Sequence, residues 1–301
     1  MIVLISGIIT LIVAYVMFRG SYLETLEIGE NYINLFWQNV KYLSLTLAIN
    51  FSIVYFMIYL TNRKIKIPFF KEEKKEMVKL PNKSIAFIFA IIISAFTSKM
   101  ILNKALLCFN STLFGSYDPI LGYDIGYFMF QKPFIELIIW YLLIAVIALT
   151  VYSALYYIIT FNVLFDGIDR KTIKSSNIIK QLTTNIMLAA LLIAGLVYMN
   201  TQNVGLQNFI SIKEDTSNYY LVGAGLTEAT IKLWGYRILA IVIIISVFLA
   251  IKAFKNGKTK KTLISIIIVP SYLLAFLIVM IGFNIIFVNS SELDKEKKYI
   301  Q

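Results

Sequence analysis

Seven blocks of apolar residues alternate along the chain with shorter polar connections. They cover residues 2–18, 42–61, 84–102, 134–160, 182–200, 236–254 and 262–288. About 30 Å of hydrocarbon requires about 20 residues of helix, so each block is close to the length of one membrane crossing. The pattern predicts an all-α integral membrane protein. Its transmembrane domain of seven helices occupies residues 1–288, and a polar tail follows at residues 289–301.

Two of the connections have helical or strand patterns of their own. Residues 21–41 place apolar side chains at helical spacing, which predicts an amphipathic interfacial helix that leads into the second span. In the connection 201–235, residues 218–222 have the composition of a short strand, and Gly223 and Gly225 end it. The pair Thr227 and Glu228 is typical of a helix N-terminus, with Thr227 as the N-cap.

The positive charge of the chain is unevenly distributed among the connections. Of all residues, 59% are hydrophobic and 15% are charged, and the net charge is +11. Lysine and arginine concentrate in every second connection, namely 62–83, 161–181 and 255–261. By the positive-inside rule, these connections and the N-terminus are cytoplasmic, and the C-terminus is extracytoplasmic. The charge therefore indicates a multi-pass protein of the cell membrane whose partner is the lipid bilayer, and it does not indicate nucleic-acid binding.

The residue types that most enzymes and metal sites require are scarce. The chain has no histidine and a single cysteine, Cys108. An intrachain disulfide is therefore impossible, and the commonest general base and zinc ligand are missing. The apolar blocks also hold few ionisable residues in their interiors. We predict no cofactor, no metal ion and no catalytic residues, and the pattern does not indicate an enzyme.

The most distinctive polar stretch is residues 118–134, between the third and fourth blocks. Asp118 precedes a proline and initiates a turn, Gly122 permits a positive φ, and Asp124 can cap a short helix. We interpret the stretch as an interfacial elbow. The alternative is that Asp118 and Asp124 present their carboxylates to a cation or a substrate.

Three asparagines lie inside apolar blocks: Asn50, Asn185 and Asn284. An asparagine in a membrane helix more often bonds a neighbouring helix than a substrate. The alternative interpretation is a transporter or channel whose path these three side chains line. That alternative predicts that all three face one cavity.

The stretch 118–134 also resembles a signature of a known family. The pattern is Asp-Pro-x-x-Gly-x-Asp-x-x-x-Phe-x-Phe-x-x-Pro-Phe, and it is similar to that of a large bacterial membrane protein family that is catalogued as uncharacterised. Two further stretches resemble the family, namely residues 223–228 and residues 292–300; Ser291 and Lys298 stand where the family usually has Asn and Pro. The resemblance implies seven N-terminal spans followed by a large extracytoplasmic domain, and it implies no activity.

These observations predict a membrane module that anchors or docks an extracytoplasmic domain or a partner protein. The non-apolar segments rich in aromatic residues and glycine all fall in connections predicted to lie outside. The alternative remains a transporter or channel for a small solute or a lipid. The residues predicted to form the outer docking surface are Asp118, Pro119, Gly122, Asp124, Phe128, Phe130, Pro133, Gly223, Gly225 and Glu228.

Overall fold

A computed structural model describes residues 2–72, 82–164, 177–204, 208–214, 217–222 and 224–288. Its seven α-helices, numbered in chain order, are α1 Ile2–Ile28, α2 Ile33–Glu72, α3 Asn82–Phe109, α4 Lys132–Leu164, α5 Asn177–Thr201, α6 Leu233–Lys255 and α7 Thr259–Phe283. Each apolar block lies within one helix, the last together with the turn that follows α7. Within these described ranges, six segments, corresponding to α2–α7, are long and apolar enough to cross a membrane. The chain is therefore an all-α, multi-pass membrane protein.

Residues 21–41 are helical, but they belong to two helices instead of one. Gly29 has a φ of +149°, which breaks the helix between α1 and α2. Aromatic side chains pack across the break, with the rings of Phe18 and Phe36 centred 5.5 Å apart and those of Phe18 and Trp37 6.1 Å apart. The apolar periodicity of the segment thus belongs to two helices whose aromatic side chains meet across the break at Gly29.

Helix α2 continues well past the end of the second apolar block. The sequence predicts a loop from residue 62, whereas the helix extends to Glu72. Asn62 and Ile65 are buried, and Asn62 accepts a hydrogen bond of 2.8 Å from the Tyr152 hydroxyl of α4. Ile65 packs against Tyr157 in a buried apolar cluster. Contacts with α4 therefore keep this segment helical, although its charged composition predicts a loop.

The chain divides into two compact units. Unit 1 consists of Met1–Tyr59 and Pro81–Asn103, and unit 2 of Leu60–Leu80 and Lys104–Gln301. In unit 1, one face of α3 carries a stripe of buried small side chains at intervals of four residues: Ala86, Ala90, Ser94 and Ser98. Small residues at this spacing allow close packing of membrane helices. The spacing is visible in the sequence, although none of the seven apolar blocks carries the glycine version of the motif.

In unit 2, helices α4 to α7 pack side by side in chain order. Neighbouring helices are antiparallel, because the end of one contacts the start of the next. The Tyr157 hydroxyl near the end of α4 donates to Gln181 near the start of α5 at 2.9 Å. The Ser246 hydroxyl of α6 donates to the Ser265 carbonyl of α7 at 2.6 Å. Alternation of direction places the start of α4, the end of α5, the start of α6 and the end of α7 at one end of the unit.

This end also has irregular secondary structure. Strands β1 (Asn208–Glu214) and β2 (Ser217–Val222) form an antiparallel hairpin between α5 and α6, which confirms the predicted strand. Three π-helical turns lie here, at Tyr127–Gln131 before α4, at Glu228–Lys232 before α6 and at Asn284–Val288 after α7. Such wide turns occur mostly as short insertions and often accompany functional sites. This end of unit 2 is therefore the place of the candidate site.

Candidate functional site

Asp124 is the centre of the elbow, which we define as residues 110–131 between α3 and α4. Its side chain is buried, with 7% of its surface exposed. Oδ1 accepts hydrogen bonds from the backbone N–H groups of Phe114 at 3.1 Å and Gly126 at 2.7 Å. Oδ2 accepts one from Gly115 at 2.9 Å. Both oxygens are thus engaged within the elbow, and the bond to Gly126 confirms the predicted N-cap.

The two sides of the elbow are joined by backbone hydrogen bonds around Asp124. Tyr117 and Asp124 form an isolated antiparallel bridge. The Asp118 N–H donates to the Tyr123 carbonyl at 2.8 Å, and the Ile125 N–H donates to the Ser116 carbonyl at 2.9 Å. The elbow is therefore a closed loop that internal hydrogen bonds hold together.

Asp118 closes the tip of the elbow. Its Oδ1 accepts hydrogen bonds from the N–H groups of Ile120 at 3.0 Å and Leu121 at 2.6 Å. Its carbonyl accepts one from Gly122 at 2.8 Å, and Gly122 has a φ of +70°. The Asp-Pro turn and the positive φ of Gly122 are both as predicted, because both follow from local backbone rules.

The electrostatics of Asp124 favour a structural role. Burial would raise the pKa of its carboxyl, but the three backbone donors lower it below the ordinary value of 3.8. The negative charge is thus stabilised by the elbow itself. Within the described ranges, no three acidic, cysteine or histidine side chains lie close enough to hold a metal ion. This arrangement supports the interpretation of the stretch as an elbow over that of two carboxylates displayed to a cation.

Aromatic rings line the second half of the elbow. The rings of Tyr123 and Tyr127 are centred 4.9 Å apart, and those of Tyr127 and Phe128 5.4 Å apart. Phe130 stacks on Phe114 at 6.1 Å. The predicted residues Phe128 and Phe130 therefore pack within the elbow instead of forming a separate surface.

The exposed apolar surface of the elbow comes from other residues. Leu113 is 79% exposed, Tyr117 63% and Met129 57%. Leu113 and Tyr117 flank Gly115, whose N–H is bonded to Asp124. The sequence does not indicate that these side chains belong to an exposed surface, because their exposure depends on how the elbow closes.

The elbow also packs against the other segments at this end of unit 2. Ile120 and Leu121 contact a buried cluster of Val204, Ala224 and Leu233. Through this cluster, the tip of the elbow touches the segment after α5 and the start of α6. A further link is the hydrogen bond from the Tyr127 hydroxyl to the Gln202 amide oxygen at 2.9 Å.

Lys132, the first residue of α4, forms a buried polar cluster that the sequence did not reveal. Only 5% of its surface is exposed. Its ammonium group lies 2.7 Å from a Glu136 carboxylate oxygen and donates a short hydrogen bond to the Asn203 amide oxygen. The spacing of four residues between Lys132 and Glu136 is a signal in the sequence. The contact with Asn203, 71 residues away, is not.

Replacing Lys132 by methionine is expected to lower the free energy of unfolding by about 1–2 kcal/mol, because Glu136 and Asn203 lose a charged partner. The measurement is thermal unfolding of the purified protein in detergent. The matched control is Lys104→Met, since Lys104 is exposed near the same end. Equal stability of the two variants would contradict a stabilising role of the cluster.

The remaining residues of the predicted docking surface lie in the elbow, in α4 and in the connection between α5 and α6. Pro119 is exposed in the turn after Asp118, and Pro133 is the second residue of α4, directly after the π-helical turn Tyr127–Gln131. Gly225 is buried, and its carbonyl accepts a hydrogen bond from the Ala229 N–H. Gly223 and the predicted family stretch 292–300 lie outside the described residues.

The predicted N-cap role of Thr227 is wrong. Thr227 has helical dihedral angles of −61° and −45°, and its side chain makes no capping hydrogen bond. The helix begins one residue earlier, and Thr227 is buried inside its first turn. The adjacent residue Glu228 is half-buried at the start of the π-helical turn. Packing of Ala224 and Leu233 in the apolar cluster sets where this helix starts, which the Thr-Glu pattern does not reveal.

The three asparagines have different surroundings. Asn50 is buried in unit 1 and donates to the hydroxyls of Thr97 at 2.8 Å and Ser98 at 3.2 Å, the helix-to-helix bonding favoured above. Asn185 lines a cavity of about 290 Å³ whose walls are otherwise almost entirely apolar. Asn284 is exposed at the elbow end of α7 and does not line that cavity. Within unit 2, these placements offer no shared polar path.

Comparisons with known proteins bear on the whole chain. A model of an uncharacterised protein family, UPF0182, matches residues 1–301. A UPF0182 protein of Caldicellulosiruptor saccharolyticus is 25% identical over 268 residues, which cover 84% of this chain and 28% of that protein. A UPF0182 protein of Trichodesmium erythraeum is 28% identical over 201 residues, which cover 64% of this chain and 20% of that protein. No solved structure gives a significant match. The chain spans about a quarter of the length of the curated relatives it matches, and it belongs to the uncharacterised protein family UPF0182.

Proposed function

We propose that this chain is a membrane module on which an extracytoplasmic domain docks, and that the elbow is the docking surface. The observation that carries the proposal is the exposed apolar surface on a closed elbow. Leu113 and Tyr117 are exposed beside backbone that Asp124 holds in place. A rigid loop that displays apolar side chains binds a partner at a lower cost in conformational entropy than a flexible one.

The family comparison indicates the kind of partner. The two relatives are much longer than the stretch they share with this chain, which amounts to 28% of one and 20% of the other. The resemblance of the sequence implies that the remainder is a large domain on the C-terminal side of the spans. Helix α7 ends at the elbow end of unit 2, so chain that follows Val288 starts near the elbow. We therefore assign the docked partner as this remaining part of the family.

The orientation of the module is part of the proposal. Lys255, the last residue of α6, and Lys258, which follows it, lie at the end of unit 2 opposite the elbow. Positive charge accumulates on the cytoplasmic side of membrane proteins. The elbow end then faces outside the cell membrane, with the N-terminus inside.

Photo-crosslinking in native cells tests the docking surface. A photoreactive phenylalanine analogue replaces Leu113 or Tyr117 in separate variants. We expect a discrete polypeptide adduct whose peptides match the family's sequence beyond the stretch shared with this chain. The analogue at Phe254 is the control, because Phe254 is 54% exposed at the opposite end of α6.

Each outcome separates docking from nonspecific contact. Adducts at Leu113 and Tyr117 but not at Phe254 support the proposal. Adducts with lipid alone at the elbow, or equal polypeptide adducts at all three positions, overturn it. The side of the membrane on which the elbow lies is read from labelling of Leu113→Cys, in a Cys108→Ala background, by a membrane-impermeant thiol reagent in intact cells.

A further inference from the structure

A second candidate site lies at the end of unit 2 opposite the elbow, where a cavity of about 300 Å³ opens between the start of α5, the end of α6 and the start of α7. Its walls combine cationic, hydroxyl and apolar side chains, among them Lys180, Lys255, Thr259, Thr262, Ile179 and Phe254. The two lysines come from different helices, so the packing of α5 on α6 brings them together. No part of the elbow contributes to this cavity.

The structure describes no acidic partner for the lysines of this cavity. Residues 177–204 and 229–288 contain no aspartate or glutamate. Neither Lys180 nor Lys255 forms an ion pair within the part of the chain that the structure describes. The two ammonium groups and the Thr259 hydroxyl form a set of donors that complements a phosphate oxygen, which accepts hydrogen bonds and carries negative charge. The Thr262 hydroxyl already donates to the Lys258 carbonyl at 3.1 Å.

The apolar side chains in the wall of this cavity favour a lipid over a free anion as its ligand. Ile179 and Phe254 line the same cavity as the lysines, and Phe254 is 54% exposed. On α7, Leu263 and Ile264 are 61% and 63% exposed, so the apolar surface continues from the cavity along the helix. A molecule that fits has a negative headgroup and an acyl chain.

We propose that this cavity binds the headgroup of an anionic phospholipid, with the phosphate between Lys180 and Lys255 and the acyl chain along Phe254. Basic pockets between membrane helices are suited to such headgroups, and each basic residue near the surface contributes favourably to binding of an acidic lipid. The site is independent of docking at the elbow, because the two lie at opposite ends of the unit.

Lipid titrations of the purified full chain in a neutral detergent test this site. Phosphatidylglycerol, phosphatidylcholine or inorganic phosphate is added, and the unfolding temperature is followed to obtain a half-maximal concentration. We expect phosphatidylglycerol to stabilise the protein at the lowest concentration. The double variant Lys180→Gln with Lys255→Gln should require on the order of tenfold more of it.

Two matched double variants make the result specific. Lys258→Gln with Lys260→Gln removes the same charge from exposed lysines of the same basic end that do not line the cavity. It should change the half-maximal concentration by less than about twofold, since these side chains lie outside the site. Lys180→Arg with Lys255→Arg keeps both charges and should retain the preference for phosphatidylglycerol. Unfolding temperatures without lipid show whether each variant is folded.

Three results would overturn the proposal. Equal losses from both glutamine pairs would show a diffuse basic surface instead of a cavity. Equal stabilisation by phosphatidylcholine would show that the charge of the headgroup is irrelevant. Equal stabilisation by inorganic phosphate would assign the cavity to a free anion and remove the lipid.

Discussion

Asp124→Asn is expected to open the elbow, whereas Asp118→Asn is expected to leave it closed. Asp124 uses both carboxylate oxygens, since Oδ1 accepts from Phe114 and Gly126 and Oδ2 accepts from Gly115. Asparagine has only one acceptor oxygen, and its NH₂ group would point at a backbone donor. Asp118 accepts both of its side-chain bonds on Oδ1, which an asparagine can reproduce.

The measurement for Asp124 is hydrogen exchange at the amides of Phe114, Gly115 and Gly126. In Asp124→Asn, these amides should exchange on the order of tenfold faster or more, because the loss of their acceptor promotes local opening. In Asp118→Asn, they should exchange at nearly the native rate. Similar exchange in both variants would show that Asp124 does not hold the elbow together.

The pH dependence of the elbow gives an independent check. The pKa of Asp124 is depressed below its ordinary value of 3.8. A depressed pKa means that the stabilising contribution is fully present above pH 3.8 and is lost as the pH falls through the lower folded pKa. Protection of the three amides should therefore persist at pH 5 and decline only below about pH 4. The native protein should show this decline, and Asp124→Asn should not.

Gly235→Ala is expected to destabilise the contact between α6 and α7 far more than the same change at Gly282. A Cβ atom at Gly235 would lie 2.0 Å from Cε2 of Phe276, whereas one at Gly282 would meet nothing within 4 Å. The Phe276 ring cannot easily turn away, because it stacks on Tyr272 and meets the Tyr236 ring edge-on. Both glycines are helical, so Gly282→Ala measures the intrinsic preference of a helix for alanine.

The difference in unfolding free energy between the two alanine variants should be about 2–3 kcal/mol, which is typical of overpacking in a closely packed interior. Displacement of α6 would also strain the hydrogen bond from the Tyr272 hydroxyl to the Gly235 carbonyl, 2.8 Å long. Thermal or denaturant unfolding in detergent provides the comparison.

A second substitution tests whether the clash with Phe276 is the cause of the destabilisation by Gly235→Ala. Phe276→Ala removes the atoms that the new methyl group meets, so Gly235→Ala should cost much less in the Phe276→Ala background than in the native protein. If the two substitutions are additive, the cost of Gly235→Ala does not arise from Phe276.

Contacts between neighbours in the chain can be predicted from the sequence, whereas contacts between distant residues cannot. The turn at Asp118, the positive φ of Gly122 and the cap by Asp124 involve residues that are neighbours in the chain. Local backbone rules therefore predict them. The bonds from Phe114 and Gly115 to Asp124 join residues ten and nine positions apart, and no local rule indicates them.

The role of Gly235 could not be foreseen for the same reason. A glycine inside an apolar block is compatible with any packing, and only the position of Phe276 in another helix makes it necessary. The small-residue stripe of α3 is intermediate, since its spacing is in the sequence but its burial is not. Lys132 is the clearest example of a feature that the sequence does not reveal. A lysine near the end of a span ordinarily reaches toward water, but Asn203 and Glu136 hold Lys132 in a buried position.

The class of this protein, the places of its helices and the turns of the elbow can all be read from the amino-acid sequence. The thickness of a bilayer sets the length of an apolar block, and proline, glycine and aspartate act on adjacent backbone. Three features emerge only from the packing of the folded chain: α2 continues to Glu72, Lys132 is buried, and two lysines share a cavity. Those features depend on which helices pack together, and in an apolar helix many faces are nearly equivalent until packing selects one.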